Sequence, residues 1–153
     1  MERHIVVIGS GPGGCAAALE AARPGVRVTI IERNEIGGVC LNHGCIPTKT
    51  WRTAAEEVER LLHSADFGLE AKDVRIDLER IASKKNAVIS TLRTGLESNL
   101  LSRGVRIVKG KASPAGPGCL TVHHADGAPV EMRYDALIHA QGSEPSGCQE
   151  LPF

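Results

Sequence analysis

The chain has 153 residues, with 18 Lys and Arg balanced by 18 Asp and Glu, so its formal net charge is zero. That length suits one domain with a real core, and a hydrophobic fraction of 42% is ordinary for a soluble globular protein. The absence of a basic excess and an aromatic content of 3% argue against a nucleic-acid binder.

His4-Ile-Val-Val-Ile8 is a short β-branched run ending at glycine, which predicts a buried strand. It is far shorter than the roughly 20 apolar residues of a membrane span, and Met1-Glu-Arg-His4 is not a basic signal-peptide start. Ala16 to Ala22 predicts a helix, which Pro24-Gly25 ends. Val26 to Ile31 predicts a second buried strand. Strand, glycine turn, helix and strand together predict a βαβ unit on a parallel sheet.

Gly9-Ser-Gly11-Pro12-Gly13-Gly14 contains G-x-G-x-x-G at the strand-to-helix turn. So many glycines are explained by close approach of backbone to a pyrophosphate, with the helix N–H groups and dipole facing its charge. Pro12 is tolerated in a first helical turn. Glu32 ends the second strand 18 residues past Gly14, where it can accept hydrogen bonds from ribose hydroxyls and repel a 2′-phosphate. The motif itself does not separate FAD from NAD.

A Gly37-Gly38 loop leads to Cys40 and Cys45. In a continuous helix their axial separation would be about 7.5 Å, on different faces. A disulfide needs Cα atoms within about 7 Å. The backbone must therefore break between them for a disulfide to form, and Asn42 and Gly44 allow this. If the pair opens a helix, its N-terminal N–H groups favour a thiolate. Spacing leaves four readings open: a redox pair, buried thiols, a structural disulfide, or metal ligands with His43, although the spacing is not a zinc pattern.

Thr50 to Ser64 predicts a helix with Ala54, Val58, Leu61 and Leu62 on its apolar side. Ala65 to Arg75 reads as a connection. Asp77 can cap a long helix whose stripe is Leu78, Ile81, Ala82, Val88, Ile89, Leu92, Leu96 and Leu100, with Gly104 as its stop. Val105–Val108, Cys119–His123 and Val130–Tyr134 predict short strands, with turns at Pro114–Gly118 and Asp126-Gly127. Ala136 to Ala140 predicts one more buried strand, ending at Gln141-Gly142-Ser143. Five cysteines, an odd count with no signal peptide, suggest a cytoplasmic protein using the close pair for redox work or metal binding. Cys15, Cys119 and Cys148 fit no motif, and His123 and His124 read as solvated.

Gly37-Gly-Val-Cys40-Leu-Asn-His-Gly-Cys45-Ile-Pro-Thr-Lys49 closely resembles the redox signature of the FAD-dependent pyridine nucleotide-disulfide oxidoreductases. Leu41-Asn42 and Ile46-Pro47-Thr48-Lys49 are most similar to the dihydrolipoamide dehydrogenase branch, with glutathione and mercuric reductases as cousins and alternative specificities. The resemblance covers the whole chain and implies an α/β fold: a doubly wound, Rossmann-like parallel FAD-binding sheet with a small antiparallel β-meander, incomplete at the C-terminus. Residues 1–153 would be the N-terminal part of that FAD domain.

The resemblance also implies roles. Cys45 would be the sulfur beside the flavin, a thiolate in charge-transfer contact, and Cys40 the interchange thiol. Lys49 would sit near the flavin N5. Gly9, Gly11, Pro12, Gly13 and Gly14 would hold the pyrophosphate, and Glu32 with Arg33 the adenosine ribose end. Gly38, Val39 and Cys40 would line the cofactor, Lys111-Ala112 would meet the adenine, and Gln141-Gly142-Ser143 stands where Thr-Gly-Ser is common. Val39 stands where threonine is common and His43 where an apolar residue is frequent.

In the complete enzyme electrons would pass from NADH to FAD, to Cys40–Cys45, and to a lipoamide-like disulfide, within a homodimer. The second FAD segment with its flavin-contacting aspartate, the nicotinamide domain and the dimerisation domain with its His–Glu acid–base pair are not in these residues. The expectations are little turnover by this chain alone, an FAD-binding module or remnant as the alternative, and an exposed sheet edge favouring self-association or a complementing chain. No nucleic-acid or membrane partner is expected.

Overall fold

The computed structural model describes residues 3–125 and 127–144. Cys148, residues 151–153 and the Asp126 half of the expected turn lie outside the described residues. Strand β1 (Arg3–Ile8) leads through the glycine turn into α1 (Pro12–Ala21) and β2 (Val26–Glu32). Two helices follow at the cysteines, α2 (Gly38–Asn42) and α3 (Cys45–Leu62), then a 3-10 turn at Ser64–Phe67 and the long α4 (Leu78–Ser102). Strands β3 (Arg106–Lys109), β4 (Lys111–Gly116), β5 (Cys119–His123), β6 (Val130–Arg133) and β7 (Ala136–His139) complete the order.

The sheet runs β3-β2-β1-β7, with every pairing parallel. Val7 is opposite Ile30 on one side and Ile138 on the other. Alternation along β1 splits the core into two layers. Val7, Val28 and Ile30 pack with Ala18 of α1 and Leu100 of α4. Val6, Ile8 and Ile31 pack with Val108 and with Leu120 and Val122 of the antiparallel sheet β4-β5-β6. Helices thus cover one face and the meander covers the other. Complete burial of side chains such as Ile30 and Leu100 stabilises this arrangement by about 1.5–3 kcal/mol each.

Local rules account for the boundaries. Asp77 accepts a hydrogen bond from the Arg80 N–H at 2.9 Å and so caps α4, and Gly104 beyond its end takes φ +77°. Helix α1 starts at Pro12, four residues before the expected start. Proline suits N1, and glycine is required at position 14 by packing that overrides its poor helix propensity.

Two expectations are corrected. Residues Lys111–Gly116 form a strand where Pro114–Gly118 predicted a turn; β4 is an edge strand, with a register shift between Pro114 and Gly116, and an edge tolerates proline. Strand β7 is only partly buried, because it is the edge of the parallel sheet. The apolar stripes of α3 and α4 are largely open: α3 has no buried residue and α4 buries only Ile89 and Leu100. These helices pack mainly on each other, with an open groove of about 770 Å³ between them, edged by Val58, Val74 and Ile81. Among the described residues no helix is long and apolar enough to cross a membrane.

Candidate functional site

A cavity of about 750 Å³ opens at the carboxyl ends of β1, β2 and β7, where the strand order reverses about β1. Such a switch point is where open α/β sheets bind ligands. The glycine turn forms its floor, and the four glycines there have different physical reasons. Gly9 has φ +96°, and a Cβ on it would lie 2.3 Å from the Ala140 carbonyl oxygen. A Cβ on Gly14 would lie 2.0 Å from the Gly9 carbonyl oxygen. Both are therefore glycine because the turn, α1 and β7 are packed together. Gly11 is different: it lines the cavity, and nothing in the protein lies within 4 Å of the Cβ it lacks. Its smallness leaves room for a ligand. Gly13 is equally open but does not line the cavity.

Glu32 stands at the end of β2 on the same wall, only 6% exposed. Its Oε2 accepts from the Ser10 N–H at 2.7 Å and from the Ser10 hydroxyl at 2.6 Å, while Oε1 accepts from the Asn34 N–H at 2.7 Å. Burial opposes its charge most strongly, but these hydrogen bonds and the Lys109 ammonium outweigh it and hold the carboxyl below its ordinary pKa. Glu32 is thus both a wall of the cavity and the brace of the glycine turn. Ser10, fully buried, lines the same cavity and is a candidate that the G-x-G-x-x-G pattern, blind to its x positions, does not mark.

Arg33 and Pro12 also line the cavity, as do Gln141, Gly142 and Ser143 beyond β7 and Lys111 and Ala112 at the start of β4. Arg33 is ion-paired with Glu144. The turn before β4 places Gly110 against β5, where a Cβ would lie 2.8 Å from the His123 carbonyl oxygen. His123 is exposed and in hydrogen-bond contact with the Ser113 hydroxyl at 2.9 Å.

The cysteines flank a break in the helix. Helix α2 carries Cys40 and ends at Asn42; His43 and Gly44 interrupt it, and α3 opens with Cys45 as its first residue. The break begins α3 five residues before the expected Thr50. A Cβ on Gly44 would sit 3.2 Å from the Val39 carbonyl oxygen and 3.4 Å from the Cys40 Cα, so glycine lets the short α2 and the start of α3 close on each other. The neighbouring Cys45 thiol, with partial desolvation behind it, raises the Cys40 pKa against the opposing pull of the Cys45 backbone N–H and of Lys49. Both are free thiols in this structure. Cys15 is a buried thiol, pushed up to about 11 by burial and by the Glu32 charge. Cys119 is a half-buried free thiol.

Gly38, Val39, Cys40 and His43 line the cavity; Gly14, Cys45 and Lys49 do not. Lys49, one turn into α3, lines the neighbouring α3–α4 groove. Val39, although apolar, is 63% exposed there. Gly38 abuts the glycine turn, with a Cβ on it 2.7 Å from the Gly11 Cα. The cavity therefore runs from an acidic anchor, over a backbone floor open at Gly11, to an apolar side chain and a thiol. Those features fit an elongated dinucleotide such as FAD: room at the floor for a phosphate, an acceptor for sugar hydroxyls, and a sulfur at one end. Among the described residues no three His, Cys, Asp or Glu side chains converge as metal ligands.

The sequence profile of the pyridine nucleotide-disulphide oxidoreductases matches residues 3–152. The chain is 40% identical over 152 residues to a dihydrolipoyl dehydrogenase of Geobacillus stearothermophilus, covering 99% of this chain and 32% of that protein. It is 36% identical over 154 residues to the Haemophilus influenzae dihydrolipoyl dehydrogenase, covering 100% of this chain and 32% of the relative. A crystal structure of LpdA from Mycobacterium tuberculosis superposes with a TM-score of 0.78 at 28% identity, covering 94% of this chain and 32% of that one. The chain thus spans about a third of the length of the curated relatives it matches.

Proposed function

The chain belongs to the pyridine nucleotide-disulphide oxidoreductase family, and from that premise we propose that it is the FAD-binding part of a dihydrolipoyl dehydrogenase-type enzyme. The observation that carries this reading is the placing of Cys40 on the cavity wall with Cys45 opening α3 just across the close-packed Gly44 break. FAD bound there would supply a two-electron acceptor. In the complete protein NAD would exchange hydride with it, a homodimer would be the working form, and the cytoplasm its location.

The residues of this chain divide the work. In the Gly9 to Gly14 turn the open side of Gly11 leaves space for the pyrophosphate and the first-turn N–H groups of α1 would face it, those of Gly9 and Ser10 being already bonded to Ile31 and Glu32. Glu32 and Arg33 hold the ribose end, Lys111 and Ala112 the adenine, and Gln141 to Ser143 close the wall. Gly38 and Val39 lie along the cofactor, and Lys49 places a positive charge one turn from Cys45. In disulfide exchange, the Cys40 sulfur attacks a lipoamide-like disulfide, whose S–S bond breaks to give a mixed disulfide and a thiolate that takes up a proton. Cys45 then attacks Cys40, expels the second substrate sulfur as a thiol, and leaves a Cys40–Cys45 disulfide. The reverse sequence oxidises the dithiol substrate. The dihydrolipoyl dehydrogenase relatives support lipoamide over glutathione or mercuric-ion specificity.

The test is reconstitution of the 153-residue chain with FAD, followed by desalting and absorbance. Retained flavin with quenched fluorescence supports the reading, and a Gly11→Ala variant that retains it equally well counts against the assigned floor. Complete failure to bind FAD at excess cofactor refutes it. A second reading is a flavin-binding module without turnover of its own. It predicts retained flavin without NADH-dependent disulfide reduction.

A further inference from the structure

Asn42, the last residue of α2, is 7% exposed, and its amide is fully used. Its Nδ2 donates to the Ile36 carbonyl at 3.0 Å and to the Gly38 carbonyl at 2.9 Å. Its Oδ1 accepts from Arg93 Nε at 3.1 Å and Nη2 at 2.7 Å. Carbonyls only accept and guanidinium only donates, so the amide has one consistent orientation. Arg93 comes from the middle of α4, 51 residues away, and its Nη1 pairs with Glu35 at 3.0 Å.

This cluster reaches both halves of the site. Asn42 holds the two carbonyls flanking Gly37, whose own N–H donates to the Ser10 carbonyl at 3.0 Å in the glycine turn. Asn42 also ends the helix that carries Cys40, just before the break at His43 and Gly44 that brings Cys45 back. A two-pronged, charge-assisted contact from a long, separately anchored helix is a strong local fixture. Arg93 touches neither cysteine. We propose that Arg93 is a positioning residue: through Asn42 it clamps α2 onto the glycine turn, and so sets how readily Cys40 and Cys45 join. This rests on the dithiol reading above. With the clamp released, α2 samples more positions, the pair spends less time within disulfide reach, and the dithiol is favoured.

The test equilibrates the 153-residue chain with mixtures of glutathione disulfide and glutathione. The thiols are then trapped by alkylation and counted by mass. In this couple Cys40 and Cys45 give up two electrons and two protons, and one glutathione disulfide becomes two glutathione molecules. Arg93→Met lowers the equilibrium constant for pair formation about tenfold, or about 30 mV. Arg93→Lys, keeping one donor, restores part of it, and Glu35→Gln, which loses only an exposed ion pair, stays within about twofold. Far-UV circular dichroism establishes that each variant is folded, so the constant reports the pair's geometry rather than stability.

An Arg93→Met chain that is folded and within about twofold of the parent overturns the proposal. If Arg93→Met does not fold, Arg93→Lys carries the test, and failure of both to fold makes Arg93 a general fold determinant, which also overturns it. If the parent pair never forms a disulfide, the dithiol reading itself falls. That result is distinguishable from the case in which the pair forms but is indifferent to Arg93.

Discussion

Replacing Glu32 by Gln tests whether one carboxylate braces the glycine turn. Glu32 accepts from two backbone N–H groups, one on each oxygen, and from a hydroxyl. A glutamine has one oxygen. Whichever way its amide turns, an NH2 faces the buried N–H of Ser10 or the part-buried N–H of Asn34, and that donor loses its acceptor. An unsatisfied buried donor costs about 1–3 kcal/mol, and the remaining bonds lose the strength that a charged acceptor lends them. Relief of the desolvation that opposes the carboxylate offsets part of this. The net expectation is a loss of about 1–3 kcal/mol near neutral pH, read from urea unfolding followed by far-UV circular dichroism. The pH dependence has a definite sign. Because the folded-state pKa of Glu32 is depressed, its stabilising contribution is full above the unfolded value of about 4.3 and is lost as pH falls through the folded value. The gap between parent and variant must therefore narrow on acidification. A loss under about 0.5 kcal/mol near neutral pH, or a gap that stays constant into acid, refutes the bracing role.

Three further outcomes follow from the packing. Gly14→Ala forces a Cβ to within 2.0 Å of a backbone oxygen and is expected to cost about 1–3 kcal/mol, whereas Gly11→Ala meets no protein atom and is expected to keep stability within about 1 kcal/mol while weakening FAD binding; unfolding curves and flavin titration on the two variants separate these effects. Leu100→Ala empties a fully buried site beneath β1 and β2 and is expected to cost about 2–5 kcal/mol by urea unfolding. His4 bridges the Arg133 carbonyl and the Thr29 hydroxyl, and burial lowers its pKa, so its contribution is full above the unfolded value of about 6.5 and is lost as pH falls through the folded value; His4→Gln is expected to flatten that part of the stability profile.

Much of the site is written locally. A glycine cluster between an apolar strand and an alanine-rich helix, an acidic residue at the next strand end, and two cysteines separated by Asn42 and Gly44 are all short-range patterns, and the structure places them around one cavity or beside it. The βαβ opening, the Asp77 cap and the Gly104 stop are legible for the same reason, since each depends on neighbours a few residues away. The misplaced features share the opposite property. Strand β4 exists because it can pair along the edge of β5, which outweighs the turn signal of Pro114 and the glycines around it. The apolar stripes on α3 and α4 describe helical periodicity correctly, but whether such a stripe is covered depends on what packs there, and much of it stays open.

The glycine turn shows where the division falls. Sequence by itself determined that residues 9–14 form a turn needing little side-chain bulk, and that Cys40 and Cys45 can approach only across a break in the helix. Tertiary structure alone decided that Gly9 and Gly14 are required by the protein's own packing while Gly11 is left open to the cavity. It also brought Arg93, 51 residues distant, onto the helix that carries Cys40. Propensity and periodicity act within a few residues, whereas steric exclusion and the hydrogen-bond saturation of buried groups such as Asn42 depend on which distant segments the folded chain brings together.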